Sequence, residues 1–259
     1  MSNADAVKNL FNEWAREGKD IDMEDGHKHA VREALREVSV PQEASILDVG
    51  CGNGYVVRAL AKRLPDASVM GIDISDEMIF QARDLTHDDV FNAGFFEGSI
   101  FDENLNEDRF DLIFGMESIY YISPVKDAIK RLASLLNPGG QLLLVVDLYQ
   151  ENEASHGWAE KYGVEMELLS AQDYVDAMAE AGLEDPFQRY ITYPEGSTSE
   201  EWKVTKGSLM TSAFKPFSAA DEEGESGDED SSDDTGTNEG SSDDDGELKL
   251  PENPLDIFN

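Results

Sequence analysis

Ser45-Ile46-Leu47-Asp48-Val49-Gly50-Cys51-Gly52-Asn53-Gly54-Tyr55 decides the fold. Three apolar positions in five, Ile46, Leu47 and Val49, predict a short buried strand over 45–49. Three glycines at alternate positions then force a tight turn in which backbone, rather than side chains, faces outward. Val56, Val57, Leu60 and Leu64 follow at helical spacing, and Pro65 stops them. Strand, glycine turn and helix make the first half of a βαβ unit.

The alternation continues in both directions. Ser68–Ile72 reads as a second strand, and Ser75 as the cap of a helix to about Leu85. Gly94–Glu97 and Phe110–Phe114 read as strands three and four. Ser123-Pro124 opens a helix as N-cap and first turn, with Ala128, Leu132, Leu135 and Leu136 on one face. Asn137-Pro138-Gly139-Gly140 ends it, and Gln141–Val146 is apolar on both faces, as a central parallel strand must be. Ser170-x-x-Asp173 caps a helix to Ala181, and strands are expected near 187–192 and 208–214. Residues 4–16 and 24–38 read as two helices ahead of the first strand. The expected fold is α/β: a doubly wound, seven-stranded, mostly parallel sheet, with an N-terminal helical lid over 1–40, a domain over 41–217 and a disordered acidic tail over 218–259.

The chain has 259 residues, of which 20 are Lys or Arg and 56 are Asp or Glu, for a net charge of −36. Residues 218–259 hold 16 acids and one base, so the remainder still carries a net −21. Segment 221–247 has no apolar side chain to offset the entropy of ordering. The acidic body fits a salt-accumulating, haloarchaeal-like source, since molar salt shortens the Debye length to about 3 Å. One cysteine excludes a disulfide scaffold. The longest aliphatic run, Leu142–Val146, falls far short of the roughly 18 residues needed to cross a bilayer. The N-terminus lacks a signal-peptide pattern. A soluble, cytoplasmic protein without membrane contact is expected.

The glycine turn is G-x-G-x-G, whereas a dinucleotide fingerprint would need glycine at Tyr55. ILDVGCGNG resembles the first motif of the Rossmann-like (class I) S-adenosylmethionine-dependent methyltransferases. Asp73, 19 residues beyond Gly54 in GIDIS, resembles the second motif. Leu136–Gly140 resembles the segment before strand five. The resemblance implies S-adenosylmethionine as methyl donor. It places Asp48, Gly50, Cys51, Gly52 and Gly54 around the methionine moiety and Asp73 on the ribose diol, with Ile74, Met78, Ser99, Ile100 and Met116 completing the site. The pattern departs after strand three: Ser99-Ile100 stands where many members carry an acid for the adenine amino group, and Asp102 is the other candidate.

In-line methyl transfer rests largely on alignment, so no catalytic residue is required; His156, Tyr121 and His27 are the candidates. Trp14, His27, Tyr120, Tyr121, Tyr149 and His156 are the candidate substrate contacts, with Phe11 and Met23 as apolar walls. No metal site is expected, because His27 and His29 beside Glu24 stand two apart and cannot share one helix face. Gly115–Tyr121 lacks the N/D-P-P-Y/F-like segment of base-amino methyltransferases, and Cys51 lies in the cofactor loop rather than at a nucleophile position. Lys126, Lys130 and Arg131 form a solvated helix face, so nucleic acid is disfavoured as a partner. The leading reading is a methyltransferase of a small molecule. The alternatives are a protein or RNA methyltransferase and a non-catalytic S-adenosylmethionine-binding protein. The sequence leaves the oligomeric state open.

Overall fold

The computed structural model describes residues 2–105, 109–217 and 247–249. In chain order the elements are α1 (Asn3–Arg16), α2 (Lys19–Leu35), β1 (Ser39–Pro41), β2 (Ser45–Val49), α3 (Tyr55–Arg63), β3 (Ser68–Asp73), α4 (Asp76–Asp84), β4 (Ala93–Glu97), β5 (Phe110–Met116), α5 (Val125–Leu135), β6 (Leu136–Val146), α6 (Trp158–Tyr162), α7 (Ala171–Glu180), β7 (Glu184–Ile191), α8 (Glu201–Thr205), β8 (Ser208–Phe214) and β9 (Glu247–Lys249). Seven strands form one sheet in the order β4-β3-β2-β5-β6-β8-β7. Five neighbouring strands, β4 to β6, run parallel, and β8 lies antiparallel to both β6 and β7. The doubly wound, mostly parallel architecture expected from the sequence is the one observed.

Two apolar layers flank the sheet. One packs α2 and α3 against Ile46, Phe114, Leu143 and Val145; the other packs α5 and α7 against Leu47, Ile113, Leu142 and Leu144. Successive residues of β2, β5 and β6 thus point into opposite layers, and 46–49, 112–116 and 140–146 are buried throughout, which is why these stretches carry no polar alternation. Strand order reverses between β2 and β5, and in such sheets the crevice beyond the strand ends opens at that point.

Several boundaries differ from expectation. Pro124, not Ser123, is the N-cap of α5. The cap acceptor is supplied from afar: Glu167 Oε2 takes hydrogen bonds from Val125 N–H at 2.9 Å and Ser123 Oγ at 3.1 Å. Sequence spacing cannot reveal a cap 42 residues away. The α7 capping box, by contrast, is local and forms between Ser170 and Asp173 as read.

The N-terminal helices do two jobs. In α2 the last turns bury Ala30, Val31, Ala34 and Leu35 completely in the core, so the second helix is part of the domain rather than a detachable cover. α1 instead lies along α4. Asn12 accepts from Ser75 Oγ at 2.5 Å and donates to Asp76 at 2.9 Å, while Lys8 pairs with Glu97 and Arg16 with Glu77, both at 2.7 Å. β1 pairs antiparallel with β9, which brings one segment near the chain's end back to the body. The rest of the expected disordered tail lies outside the described residues.

Candidate active site

Beyond the ends of β2 to β5, under α1 and α2, lies a cavity of about 160 Å³. Its floor is the glycine turn, and the three glycines serve different needs. All have positive φ, between 53° and 79°, where a side chain is strained. A Cβ on Gly50 would stand 2.4 Å from Ser118 Cβ, and one on Gly54 2.5 Å from the Phe95 ring, so both positions are closed by packing. A Cβ on Gly52 would meet no protein atom within 4 Å. Gly52 lines the cavity, so its bare backbone borders space that the fold leaves open.

Asp73 ends β3 beside this turn. Its carboxylate accepts from Gly52 N–H at 2.9 Å and Ser75 N–H at 2.8 Å, which fixes its orientation and leaves a lone pair on each oxygen. Burial nonetheless raises its pKa. Asp48 is 2 % exposed, and its Oδ2 has no hydrogen-bond partner among the described residues. Burial, with the Asp73 charge second, pushes its pKa up to about 8. A buried carboxyl without a partner, on the wall of a cavity, is a place prepared for a cationic ligand group.

Asn53 ties the lid to the floor. Its Nδ2 donates to Asp20 at 3.2 Å and Glu24 at 2.9 Å on α2, and Arg58 NH1 donates to its carbonyl. An aromatic chain fastens the other side. Phe11 on α1 meets Trp14 and Tyr121 edge to face, each at 5.3 Å, and Tyr121 packs on Tyr120 at 4.7 Å.

Of the cofactor candidates, Asp48, Gly50, Cys51, Gly52, Asp73, Ile74, Met78, Ser99, Ile100 and Met116 line this cavity. Gly54 does not; it is the N-cap of α3, packed on Phe95. Asp102 also stays out, because its Oδ2 accepts from Ser99 N–H and caps the local turn.

Among the substrate and catalytic candidates, His27 and Tyr121 line the cavity, with Phe11 and Met23. Four candidates stand elsewhere. Trp14 turns away to Tyr162, 5.0 Å between rings. Tyr120 is buried behind Tyr121 and donates to Glu117 Oε2 at 2.7 Å. Tyr149 is fully buried and donates to Gly207 O at 2.9 Å. His156 sits in an exposed turn with Nε2 on Gln150 O at 3.0 Å. Apolar or polar type alone could not separate these, because burial took Tyr120 and Tyr149, ring packing took Trp14 and a local turn took His156.

The sequence reading passed over the most polar corner of the site. His27 from α2, Glu117 just past β5 and Asp147 just past β6 each bring one ligand atom within 4.8 Å of the others. His29 and Glu24, grouped with His27 in the sequence, point elsewhere: His29 to Thr192 O, Glu24 to Asn53 and Lys28. Glu117 adopts φ 55°, rare for a non-glycine residue, and accepts from Tyr120 OH and from Asp147 N–H. Asp147 is 1 % exposed, with Oδ1 unpartnered among the described residues. Burial raises the pKa of Asp147 to about 6 and that of Glu117 well above its usual range, with the Asp147 charge the second cause for Glu117. Burial and then Lys203 lower His27 to about 3, so its imidazole is neutral. Positive φ, placed one residue past a strand, was the only local signal available, and it is not visible in the letters.

Two of the three basic residues on α5 are engaged within the protein. Lys126 pairs with Glu180 at 3.0 Å, and Arg131 donates to Ile100 O at 2.8 Å. No helix among the described residues is long and apolar enough to cross a membrane.

Comparison with known proteins agrees with this geometry. A family model described as "Methyltransferase domain" matches residues 46–140. The chain is 30 % identical over 144 residues to malonyl-[acyl-carrier protein] O-methyltransferase of Priestia megaterium, covering 55 % of this chain and 52 % of that one. It is 29 % identical over 210 residues to trans-aconitate 2-methyltransferase of Variovorax paradoxus, covering 75 % and 77 %. A putative methyltransferase solved in complex with the Haloferax volcanii Trm112 methyltransferase activator superposes with TM-score 0.72 at 30 % identity, covering 80 % of this chain and 98 % of that one. S-adenosylmethionine, the donor implied by the sequence motifs, fits what the fold leaves here: an open glycine cradle at Gly52, an anchored acid at Asp73 and a buried acid at Asp48 with Oδ2 unpartnered among the described residues. With the glycine turn, the acid after β3 and the sheet order all in place, the chain belongs to the class I S-adenosylmethionine-dependent methyltransferases.

Proposed function

We propose that the chain methylates a small-molecule acceptor held between the lid helices and the ends of β5 and β6. The observation that carries this reading is the roof: α1 and α2 cover the cavity, with Phe11, Met23 and His27 as its walls, leaving room for a small group rather than a macromolecular surface. The order of strands supports the following division of the parts. Ser99 and Ile100 past β4 take the adenine, Asp73 on β3 the ribose diol, and Gly50–Gly52 with Asp48 the amino-acid end. The acceptor then faces the next strands, β5 and β6, at Tyr121, His27 and Glu117. The donor supplies an electrophilic methyl on a sulfonium. The chain's own residues align that methyl with the acceptor and exclude water, the contribution expected of an enzyme for an in-line displacement. One relative's name, trans-aconitate 2-methyltransferase, specifies a small-molecule acceptor.

The test uses methyl-labelled donor in molar KCl with separated small-molecule and macromolecular fractions of cells. Label is expected in the small-molecule fraction. Label confined to protein or RNA would overturn this reading, and tight donor binding with no label anywhere would make the chain a non-catalytic binder.

A protein partner is a second, compatible proposal. β4 is an edge strand, and Phe91 just before it is 89 % exposed, Phe80 on the adjoining α4 65 % and Phe101 just after it 50 %. Three exposed phenylalanines around one free edge, in a chain this acidic, fit an apolar docking surface. A small activator of the kind named for the Haloferax relative fits that surface. Co-expression with such an activator is expected to raise soluble yield, and Phe91→Asp to end co-purification. Co-purification unaffected by Phe91→Asp would remove this surface from the proposal.

A further inference from the structure

We infer that the acceptor is an amine, bound as its ammonium by His27, Glu117 and Asp147 at the end of β5 and β6. This rests on the small-molecule reading above and names its substrate class.

The geometry comes first. Three acceptor atoms, an imidazole nitrogen and two carboxylate oxygens, lie within 4.8 Å of one another. A tetrahedral ammonium donating to three acceptors at ordinary hydrogen-bond lengths separates them by about 4.7 Å. Acceptor atoms around a small divalent ion, bonded at about 2.1 Å, crowd to about 3 Å for neighbouring positions. The 4.8 Å limit admits either arrangement, and the chelation arm of the test below separates them.

Charge points to a bound cation. Half-buried Glu117 on the cavity wall and buried Asp147 converge, and Asp147 Oδ1 has no partner among the described residues. The nearby Lys203 lowers the pKa of both carboxyls by its charge, but its ammonium donates to Glu200 Oε2 at 2.8 Å and Gly26 O at 3.2 Å and to neither of them among the described residues. Two carboxylates facing one cation that is hydrogen-bonded elsewhere still gain from a proton or a second cation. An acidic acceptor would meet like charge here. His27 is held neutral and so can accept a hydrogen bond from an N–H.

The same groups complete the chemistry. A bound ammonium has no lone pair. One of its protons passes to a carboxylate of the Glu117–Asp147 pair, whose raised pKa values suit it to hold a proton near neutrality. The freed nitrogen pair forms the bond to the methyl carbon as the carbon–sulfur bond breaks. That bonding pair stays on sulfur, which becomes a neutral thioether. The nitrogen becomes a methylated ammonium, and the carboxylic proton is lost to water when the product leaves.

The test starts with full-length protein, labelled donor and a small-molecule extract separated at neutral pH on a cation exchanger. Label is expected in the retained, cationic pool, on a product whose new methyl is bonded to nitrogen by NMR. With the purified acceptor, Asp147→Asn should raise its KM at least about tenfold, the usual worth of a hydrogen bond to a charged group, while leaving S-adenosylhomocysteine affinity within about twofold. His27→Gln is a second variant with the same expected split, should Asp147→Asn fail to fold. Label only in the unretained pool overturns the amine assignment and leaves the small-molecule reading standing. Loss of activity with EDTA and its return with Mn²⁺ likewise overturns it, in favour of a metal. No label on any small molecule removes the parent reading, and this inference with it.

Discussion

Alanine at Gly52 is expected to give a folded protein that has lost its donor, whereas alanine at Gly50 or Gly54 is expected to damage the fold. All three substitutions place a Cβ at positive φ, a strain of about 1–2 kcal/mol. At Gly52 that is the main cost to stability, because no protein atom lies within 4 Å of the new carbon. The carbon instead narrows the open cradle that the donor's amino-acid end must enter. At Gly50 the new carbon falls 2.4 Å from Ser118 Cβ, and at Gly54 2.5 Å from Phe95 Cε1. Overpacking adds about 1–3 kcal/mol to the strain. Together these are a large share of a typical domain's stability of about 5–15 kcal/mol. Thermal melts with and without donor separate the cases. Gly52→Ala should melt within a few degrees of wild type yet show no donor-induced rise, while the other two should melt much lower. A normal donor response in Gly52→Ala would show that the cradle lies elsewhere.

Asp48→Asn is expected to make the ligand-free protein more stable and the donor complex weaker. Asp48 has a folded pKa of about 8 against an ordinary 3.8, so folding disfavours its ionised form. The sign follows from proton counting. Between about pH 4 and pH 8 the folded state holds a proton that the unfolded state has lost, so stability falls as pH rises through that window. The amide carries no such penalty. Its advantage should be near zero below pH 4 and reach a few kcal/mol above pH 8. Donor binding should move the other way. Loss of a charge-assisted hydrogen bond to an ammonium costs about 1.5–3 kcal/mol, or roughly 10- to 150-fold in Kd. Calorimetry at pH 8.5, beside melts at pH 5 and 8.5, reads both effects. An unchanged Kd, or a lower Tm at pH 8.5, would remove Asp48 from the ammonium's place. Trading stability for a prepared site is what an orphaned buried carboxyl implies.

The sheet and the donor half of the site were legible in the sequence because their determinants are local. Val56, Val57 and Leu60 face inward by helical period, β2 and β6 are apolar on both faces, and Ser170 with Asp173 forms its cap within one turn. Glycines at Gly50, Gly52 and Gly54 announce a backbone that must turn with positive φ, and Asp73 follows at the next strand end. Periodicity, capping and backbone freedom are properties of neighbouring residues, so a string of letters contains them.

Only the tertiary structure brought together the residues of the proposed acceptor half. His27, Glu117 and Asp147 come from α2, from the turn after β5 and from the end of β6, and their meeting depends on β5 and β6 lying side by side beneath α2. The same long-range packing withdrew Tyr149 into the core, buried Tyr120 behind Tyr121, gave Glu167 the cap of α5 and fused the end of α2 to the domain. These contacts span tens of residues and depend on which surfaces the sheet order brings together. The letters specified the strands and the cradle; the crossing of strands and lid chose which polar side chains share one buried corner.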